Sequence, residues 1–489
     1  MPDRHPVLAG FRAMLAADIA RLLAKGGILL LLTRFLLTPA EYGLLFLALS
    51  VLGITFLFSN FGLPGSVARY VTEYAETRPG QVPHIVRFGL SVNLVSVTVV
   101  CLAVALFRGH IAAAIGEPAL APLLLVGVGF IATRSFEKHL YALFQAFNDV
   151  RYTAIVKTVD SVSQPILVAA GVLAGLGVAG ALAGFVVAAA LGTALGVVVL
   201  YRQFYRNWEP DAEMVAGLRT RLLRYSVPLT ASGVAGVLDK RVDTVLVGYF
   251  MNPTAVAYYT LAKQISEFVM TPASSLGFTV SPQFGTHKAN GELDKAAALY
   301  ESAFAHTVAI YVPAAAGMIV VADPAVTFVF GAEYSGAVTA VQIFGVYALL
   351  LALDKITNDG LDYLGRANAR ATAKGITSAA NVALNVALIP VFGVAGAAGA
   401  TVITVSGLVA VELYVIASEL PLAVGRLVRM AGLVFGITGG MTVAVVALLP
   451  YVSGLLSLAG VVLVGVAVWA VLATASGLVD VRKVGMLLQ

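Results

Sequence analysis

Charge is what this chain has least of. Only 12% of its residues are Asp, Glu, Lys or Arg, and 59% are hydrophobic, for a mean hydropathy of +0.92. A soluble domain carries roughly 25% charged residues, so an ordinary soluble globule is excluded and an all-α polytopic membrane protein is expected. There is one cysteine, Cys101, inside an apolar run. That excludes an internal disulfide and a cysteine metal cluster. No G-x-x-x-x-G-K-[S/T] phosphate loop occurs, so no ATPase of that type lies within the chain. The histidines at 5, 84, 110, 139, 287 and 306 show no H-E-x-x-H or other ligand spacing, and neither a metal nor a cofactor is expected. A cleavable signal pattern is missing too. The first apolar stretch is interrupted by Asp18, Arg21 and Lys25 and has no small-residue cleavage site, so it reads as a retained helix.

Long apolar runs are what the chain does have. A spanning helix needs ~20 mostly apolar residues. About 14 such stretches occur, the first near 13–37 and the last near 453–475. Several are joined by very short breaks, such as Thr38-Pro39, Gly175-Leu-Gly177, Met251-Asn-Pro253 and Pro390-Val-Phe-Gly393. Proline stops a helix because it lacks the amide donor, and glycine because its backbone is not stiff. With the amino terminus inside, 20 of the 31 Lys and Arg fall on the inner side and only Arg108 is clearly outside. This bias predicts an even number of spans with both termini cytoplasmic. It also accounts for the net charge of +5 better than a nucleic-acid partner would.

The chain repeats itself. Gly177-Val-Ala-Gly-Ala181 returns as Gly393-Val-Ala-Gly-Ala397, Pro39 has a counterpart in Pro253, and Gly62 has one in Gly277. The offsets are 393 − 177 = 216, 253 − 39 = 214 and 277 − 62 = 215. Three landmarks in order at nearly one offset predict a duplicated unit. The expected division is a first bundle at 1–201, a polar cytoplasmic linker at 202–224, a second bundle at 225–418, and two further helices with a tail at 419–489.

Ten cations remain within or near the ends of the expected helices. They are Arg21, Lys25, Arg34, Arg134, Lys138, Lys157, Lys240, Arg241, Lys263 and Lys355. A charge at mid-bilayer costs at least ~2.5–3.5 kcal/mol, so such groups persist when they pair or line a wet cavity. Asp239-Lys-Arg-Val-Asp243 lies ~10–16 Å from the end of its helix at ~1.5 Å per residue. Lys263 and Glu267 are four apart, as are Arg21 and Lys25, and Arg134 and Lys138. The repeat relates Lys25 to Lys240, Lys138 to Lys355 and Lys157 to Lys374. Matched cations in both halves would make a cavity cationic from two walls. Arg21, Lys25, Lys240, Arg241 and Lys263 are the first candidates for an anionic substrate. Arg134, Lys138 and Lys355 come second, because they could instead snorkel to the surface or pair internally. Lys157 is spaced to pair with Asp160. Asp18, Asp239, Asp243, Glu267 and Asp354 are candidates for charge pairing or for a coupling ion.

Arg34-Phe-Leu-Leu-Thr-Pro-Ala-Glu-Tyr-Gly-Leu-Leu45 and Asn60-Phe-Gly-Leu-Pro-Gly-Ser66 resemble the first helices of polysaccharide-type flippases. Val242-Asp-Thr-Val-Leu-Val-Gly-Tyr-Phe250 and Ala255-Val-Ala-Tyr-Tyr-Thr-Leu-Ala262 are similar to their second-half counterparts. The resemblance covers residues 10–475. It points to the polysaccharide transport branch of the multidrug/oligosaccharidyl-lipid/polysaccharide exporter superfamily. It implies two pseudo-symmetric six-helix bundles, plus two C-terminal helices here, around a cavity that opens alternately to each side. It also implies a lipid-linked oligosaccharide as substrate, moved across the cytoplasmic membrane of a prokaryote. Arg and Lys would hold the phosphate or pyrophosphate of a polyprenyl carrier, and coupling to a sodium ion or a proton is open. Membrane lipids and glycan-assembly enzymes are the expected partners, and a monomer is favoured. Two other classes stay in view. A multidrug or small-solute antiporter would show one dominant buried carboxylate and few cations. A membrane enzyme of glycan assembly would show a substantial outer loop, and the loops near 108–118 and 322–336 are short.

Overall fold

The computed structural model describes residues 19–478, and every regular element among them is helical. The chain divides into two compact units, Met1–Ala257 and Tyr258–Gln489. The first unit holds α1 (residues 19–36), α2 (Pro39–Asn60), α3 (Leu63–Thr77), α4 (Val82–Ile115), α5 (Leu120–Ala146), α6 (Val150–Gly171), α7 (Gly177–Val199) and α8 (Leu218–Phe250). The boundary falls just inside α9 (Pro253–Ala289). The second unit continues with α10 (Leu293–Val320), α11 (Val338–Tyr363), α12 (Ala367–Glu419), α13 (Val424–Leu448) and α14 (Leu455–Ala475). Nine helical segments among the described residues are long and apolar enough to cross a membrane. This is an all-α polytopic membrane protein.

Two of the three repeat landmarks recur as local structure, whereas Gly62 turns left-handed between α2 and α3 and Gly277 lies inside α9. Thr38 caps α2: its hydroxyl accepts from the Glu41 amide at 3.4 Å, and the Glu41 carboxylate accepts from the Thr38 amide at 2.9 Å. Pro39 opens the helix, where no amide donor is needed. At the start of α9, Asn252 Oδ1 accepts from the Ala255 amide at 2.9 Å, and Pro253 takes the first helical position. Gly177 has φ 52° and ψ −134°, and Gly393 has φ 59° and ψ −136°. Only glycine adopts that backbone readily. Each turn folds two helices into a hairpin: α6 onto α7, and the first arm of α12 onto the second. A Cβ at Gly180 would lie 2.3 Å from the Gly171 carbonyl oxygen, and one at Gly396 would lie 2.3 Å from that of Leu388. Across the α12 hairpin, Asn381 Nδ2 donates to Thr404 Oγ1 at 3.2 Å.

In the first unit, α2 and the start of α9 cross so closely that a Cβ at Gly43 would sit 1.6 Å from the Pro253 oxygen and 2.9 Å from the Ala257 amide nitrogen. At the other end of α2, Phe61 and Gly62 turn left-handed, with φ 44° and 62°, and the chain re-enters helix as α3. The apolar positions of α3 are Leu63, Val67, Tyr70, Val71 and Tyr74, all buried at helical spacing. Its polar face hid it from a search for long apolar runs. α3 is stitched to α8. Ser66 Oγ donates to the Leu222 carbonyl at 2.7 Å, Arg221 donates to the Tyr74 hydroxyl at 2.8 Å, and the Arg69 guanidinium lies 4.2 Å from the centre of the Tyr225 ring.

The polar connector is shorter than expected. Helix α8 begins at Leu218, inside the stretch read as linker, because Leu218 and Leu222 are fully buried while Arg219, Arg221 and Arg224 face outward. By compactness the chain divides beyond α8. What remains of the connector is pinned by Gln81, itself 2% exposed. Gln81 Nε2 donates to Asp211 Oδ2 at 2.6 Å and to the Glu213 carbonyl at 2.9 Å, and its Oε1 accepts from the Val215 amide at 2.9 Å. The connection near 108–118 is mostly helix, since α4 runs to Ile115.

In the second unit, Phe284, Tyr300, Leu361 and Ile416 form one apolar cluster. Val308, Val312, Leu353, Val405, Val409 and Val434 form the next. These tie α9, α10, α11 and α13 around the α12 hairpin.

Candidate functional site

Ionisable side chains inside membrane-length helices are the candidates, because each must be compensated or solvated to persist there. On α5 and α6, Arg134 is compensated within the first unit. Its Nη1 lies 2.5 Å from Glu137 Oε2 and 2.8 Å from Asp160 Oδ2, and its Nη2 lies 3.3 Å from Asp160 Oδ1. The Tyr141 hydroxyl donates to the other Glu137 oxygen. Asp160 therefore pairs with Arg134 and not with Lys157, whose ammonium stands 5.8 Å from the Tyr141 ring centre. Lys138, on the exposed face of α5, sits 5.7 Å from the centre of the Phe56 ring. Beside this network lies a neutral polar cluster. Ser135 Oγ is 2.9 Å from Asn93 Oδ1 and 3.2 Å from Asn60 Oδ1. His139, one turn further along α5, is fully buried.

The Arg134 network makes a direct prediction. Arg134→Ala leaves Glu137 and Asp160 buried at side-chain exposures of 3% and 11% with their cation gone. Removing one partner of a buried pair costs about 3–5 kcal/mol. Thermal unfolding of the purified variant in detergent should start well below the wild-type temperature, and adding Glu137→Gln and Asp160→Asn should restore much of the loss. An Arg134→Ala protein that melts with the wild type would show that the network is not structural.

The first candidate cations lie on three helices. Arg21 and Lys25 are on α1, the first exposed and the second half-buried. On α8, Lys240 is exposed, Arg241 is half-buried, and Asp243 is 1% exposed. Arg241 fits a notch in α2: a Cβ at Gly53 would lie 3.0 Å from Arg241 Nε. Asp18 and the side chain of Asp239 lie outside the described residues. In the second unit, Lys263 on α9 is 8% exposed, with its ammonium 5.7 Å from the Tyr259 ring centre. The Tyr259 hydroxyl lies 3.3 Å from Thr401 Oγ1. Glu267 follows one turn on, half-buried. Lys25, Lys240, Arg241, Asp243, Lys263, Glu267 and Asp354 are each engaged by neighbouring groups. Lys355 pairs with Asp359 at 2.8 Å, one helical turn away. The candidates are thus divided. Arg21, Lys25, Arg134, Lys138, Lys240 and Arg241 belong to the first unit, and Lys263 and Lys355 to the second.

Sequence reasoning missed Glu137, Asp359 and Glu412. Glu137 and Asp359 stand at helical spacing from Arg134 and Lys355, a signal that was legible. Glu412 is a lone acid in an apolar run and is 1% exposed. That too was visible in the sequence as a charge with no neighbour of opposite sign.

Comparison with known proteins follows the same lines. Over 368 residues the chain is 23% identical to the probable low-salt glycan biosynthesis flippase Agl15 of Haloferax volcanii, covering 75% of each chain. It is 26% identical over 216 residues to the probable flippase AglR of the same organism, covering 43% of this chain and 44% of that one. Among solved structures, the lipid II flippase MurJ in an inward closed conformation superposes with a TM-score of 0.78 at 14% identity, over 96% of this chain and 98% of that one. An inward-facing multidrug resistance MATE family transporter superposes with a TM-score of 0.68 at 14% identity, over 84% and 95%. At such identities these likenesses show the fold. The family described as polysaccharide biosynthesis protein matches residues 7–284 of the 489-residue chain. By that match the chain belongs to this family, in the polysaccharide transport branch of the multidrug/oligosaccharidyl-lipid/polysaccharide exporter superfamily.

Proposed function

We propose that this protein is a flippase. It carries a lipid-linked oligosaccharide, on a polyprenyl phosphate or pyrophosphate, across the cytoplasmic membrane by alternating access. The observation that carries this reading is a cation, Lys263, 8% exposed on a membrane-length helix of a polysaccharide-family chain. A greasy carrier tail can stay in lipid, but its glycan and phosphate cannot cross hydrocarbon unaided. Arg21, Lys25 and Arg241 in the first unit, and Lys263 in the second, can each offer charge-assisted hydrogen bonds to a phosphate. The guanidinium of Arg241 can present a two-pronged contact that an ammonium cannot. The lysine and arginine bias supports both termini on the cytoplasmic side.

The test is translocation in vesicles that contain the purified protein and a polyprenyl-diphosphate oligosaccharide. The flippase reading expects the glycan to reach the far leaflet unchanged and faster than in protein-free vesicles. Transport of a cationic dye with no movement of the glycan would favour the antiporter, and a chemically altered glycan would favour an enzyme. One variant isolates the Arg241 contribution. Gly53→Leu places its side chain where Arg241 Nε now lies, and a long flexible side chain can move aside without unfolding α2 or α8. Glycan transport should fall several-fold with melting unchanged. Wild-type transport by Gly53→Leu would separate Arg241 from the substrate.

A further inference from the structure

One groove of the first unit involves none of the candidate cations. Phe61, at the turn between α2 and α3, forms one wall, and Leu223, Ser226, Val227, Thr230 and Val234 of α8 form the other, around a volume of about 470 Å³. Spaced by four, three and four, Leu223, Val227, Thr230 and Val234 share one face of the helix. Both hydroxyls in the lining are already satisfied by α8 itself. Ser226 Oγ donates to the Leu223 carbonyl at 2.8 Å, and Thr230 Oγ1 donates to the Ser226 carbonyl at 2.8 Å. What the groove offers an occupant is therefore apolar: Leu223 is 44% exposed, Val227 67% and Phe61 47%. Backbone contact fixes its width. A Cβ at Gly62 would lie 2.4 Å from the Ser226 carbonyl oxygen and 2.8 Å from the Thr230 amide nitrogen, so the turn rests directly on α8. Phe61 stands beside that contact with φ 44° and ψ 39°, a left-handed conformation that bulky residues rarely adopt.

The start of the same helix is cationic. Arg219 lies four residues before Leu223 and Arg224 three before Val227, and both are exposed. Other arginines nearby are occupied: Arg221 is held by Tyr74 and Arg69 by Tyr225. Arg219 Cζ stands 5.9 Å from the centre of the Phe88 ring, whereas Arg224 has no hydrogen bond, ion pair or ring contact among the described residues. The groove runs from five to sixteen residues beyond Leu218, the first residue of α8, which is roughly 8–24 Å along the helix at ~1.5 Å per residue. Half of a hydrocarbon core is ~15 Å. With the start of α8 on the cytoplasmic side, an anion at Arg219 and Arg224 and a chain laid along Leu223 to Val234 match an inner-leaflet lipid, phosphate at the surface and tail below. The groove is one helix face wide and takes one chain. A diacyl phospholipid brings two chains behind each phosphate, and a polyprenyl phosphate brings one. Resting on the flippase reading above, we propose that this groove is the entry site for the isoprenoid chain of the lipid-linked substrate, with Arg219 and Arg224 receiving its phosphate at the cytoplasmic surface. The guanidinium fork suits a phosphate, and the tail binds by leaving its apolar surface against apolar side chains. The carrier is held here before its phosphate reaches Arg241, further along the same helix.

The experiment is photo-labelling of the full-length protein in lipid nanodiscs with a polyprenyl phosphate that carries a diazirine on its chain, the attachment sites being read by peptide mass spectrometry. Label should fall on Phe61 and on α8 between Leu223 and Val234. A large excess of unlabelled polyprenyl phosphate should remove it, and the same excess of phosphatidylglycerol should not. Val227→Trp fills the groove and should lower labelling by at least ~5-fold. The double variant Arg219→Ala, Arg224→Ala should lower labelling about tenfold, as loss of one charge-assisted contact does, and should leave labelling by a diazirine polyprenol without phosphate unchanged. All three positions are exposed, so both variants should melt with the wild type. Equal competition by phosphatidylglycerol would show that the groove holds ordinary lipid, and it would overturn the proposal. Labelling that is unchanged in Val227→Trp, or that falls on other helices, would overturn it too. Translocation in vesicles keeps the two readings apart. A protein that moves the glycan but is not labelled in the groove loses the entry site and remains a flippase. A protein labelled in the groove that moves no glycan keeps the carrier site and loses the flippase reading.

Discussion

Glycan transport is expected to fall at least a hundredfold when Arg21, Lys25, Arg241 and Lys263 are all changed to alanine, in cells that hold normal amounts of the protein. Each hydrogen bond to a charged group contributes about 1.5–3 kcal/mol, so losing two phosphate contacts weakens the bound state by ~10²-fold or more. The single changes should rank by burial and by geometry. Lys263, at 8% exposure, and Arg241, seated against Gly53, should cost most, and the exposed Arg21 least. Arg241→Lys separates two kinds of contact. If charge is enough it should retain most of the transport, and if a two-pronged contact is needed it should behave like Arg241→Ala. Membrane levels measured alongside keep loss of protein apart from loss of transport. Wild-type transport by the fourfold variant would remove these residues from the substrate path.

A second large effect is expected at Gly43. A side chain there meets backbone and not a movable side chain: Pro253 O at 1.6 Å, Pro253 C at 2.6 Å and Ala257 N at 2.9 Å. Neither partner can turn away, so α2 and the start of α9 must separate. Overpacking in a close-packed interior costs about 1–3 kcal/mol and occasionally more, and a backbone clash belongs at the upper end. Gly43→Val should give little monodisperse protein in detergent, and Gly43→Ala should melt clearly lower than the wild type. Gly27, where a Cβ would meet nothing within 4 Å, is the control, and Gly27→Ala should be nearly silent. A Gly43→Val protein with a wild-type melting curve would mean that α2 and α9 do not cross as described.

Punctuation was the legible part of this fold. Gly177 and Gly393 were visible as a repeated motif because their backbone angles leave no alternative to glycine. Thr38-Pro39 and Asn252-Pro253 were visible because capping residues and proline mark helix starts by local chemistry. The amphipathic α3 and the first turns of α8 were not found. Their buried residues are interleaved with Arg69, Glu73, Arg219 and Arg221, and a search for continuous apolar runs averages such faces away. Pairing was legible only within a helix. Lys355 with Asp359 follows from spacing alone, whereas Asp160 turns to Arg134 on the neighbouring helix, a choice set by packing. Glu412 was visible by type, as a lone acid in an apolar run, but its burial at 1% exposure is set by the packing of the α12 hairpin and not by any spacing rule.

The two glycine turns carry a consequence for how the chain enters the bilayer. α6 brings Arg151, Lys157 and Asp160, and the first arm of α12 brings Arg370 and Lys374. α7 has no charged residue, and the second arm of α12 has only Glu412 and Glu419. On insertion scales each Asp, Lys or Arg near mid-membrane costs about 2.5–3.5 kcal/mol, against a gain of about 0.3–0.6 for each Leu, Ile, Val or Phe. The earlier segment of each pair is therefore a poor candidate to leave the translocon alone. Joined by a turn too short to leave a loop behind, it partitions together with its apolar successor. Membrane entry of Lys157 and Lys374 thus depends on sequence synthesised after them, and a ribosome stalled before residue 177 or 393 would hold a segment not yet committed to lipid.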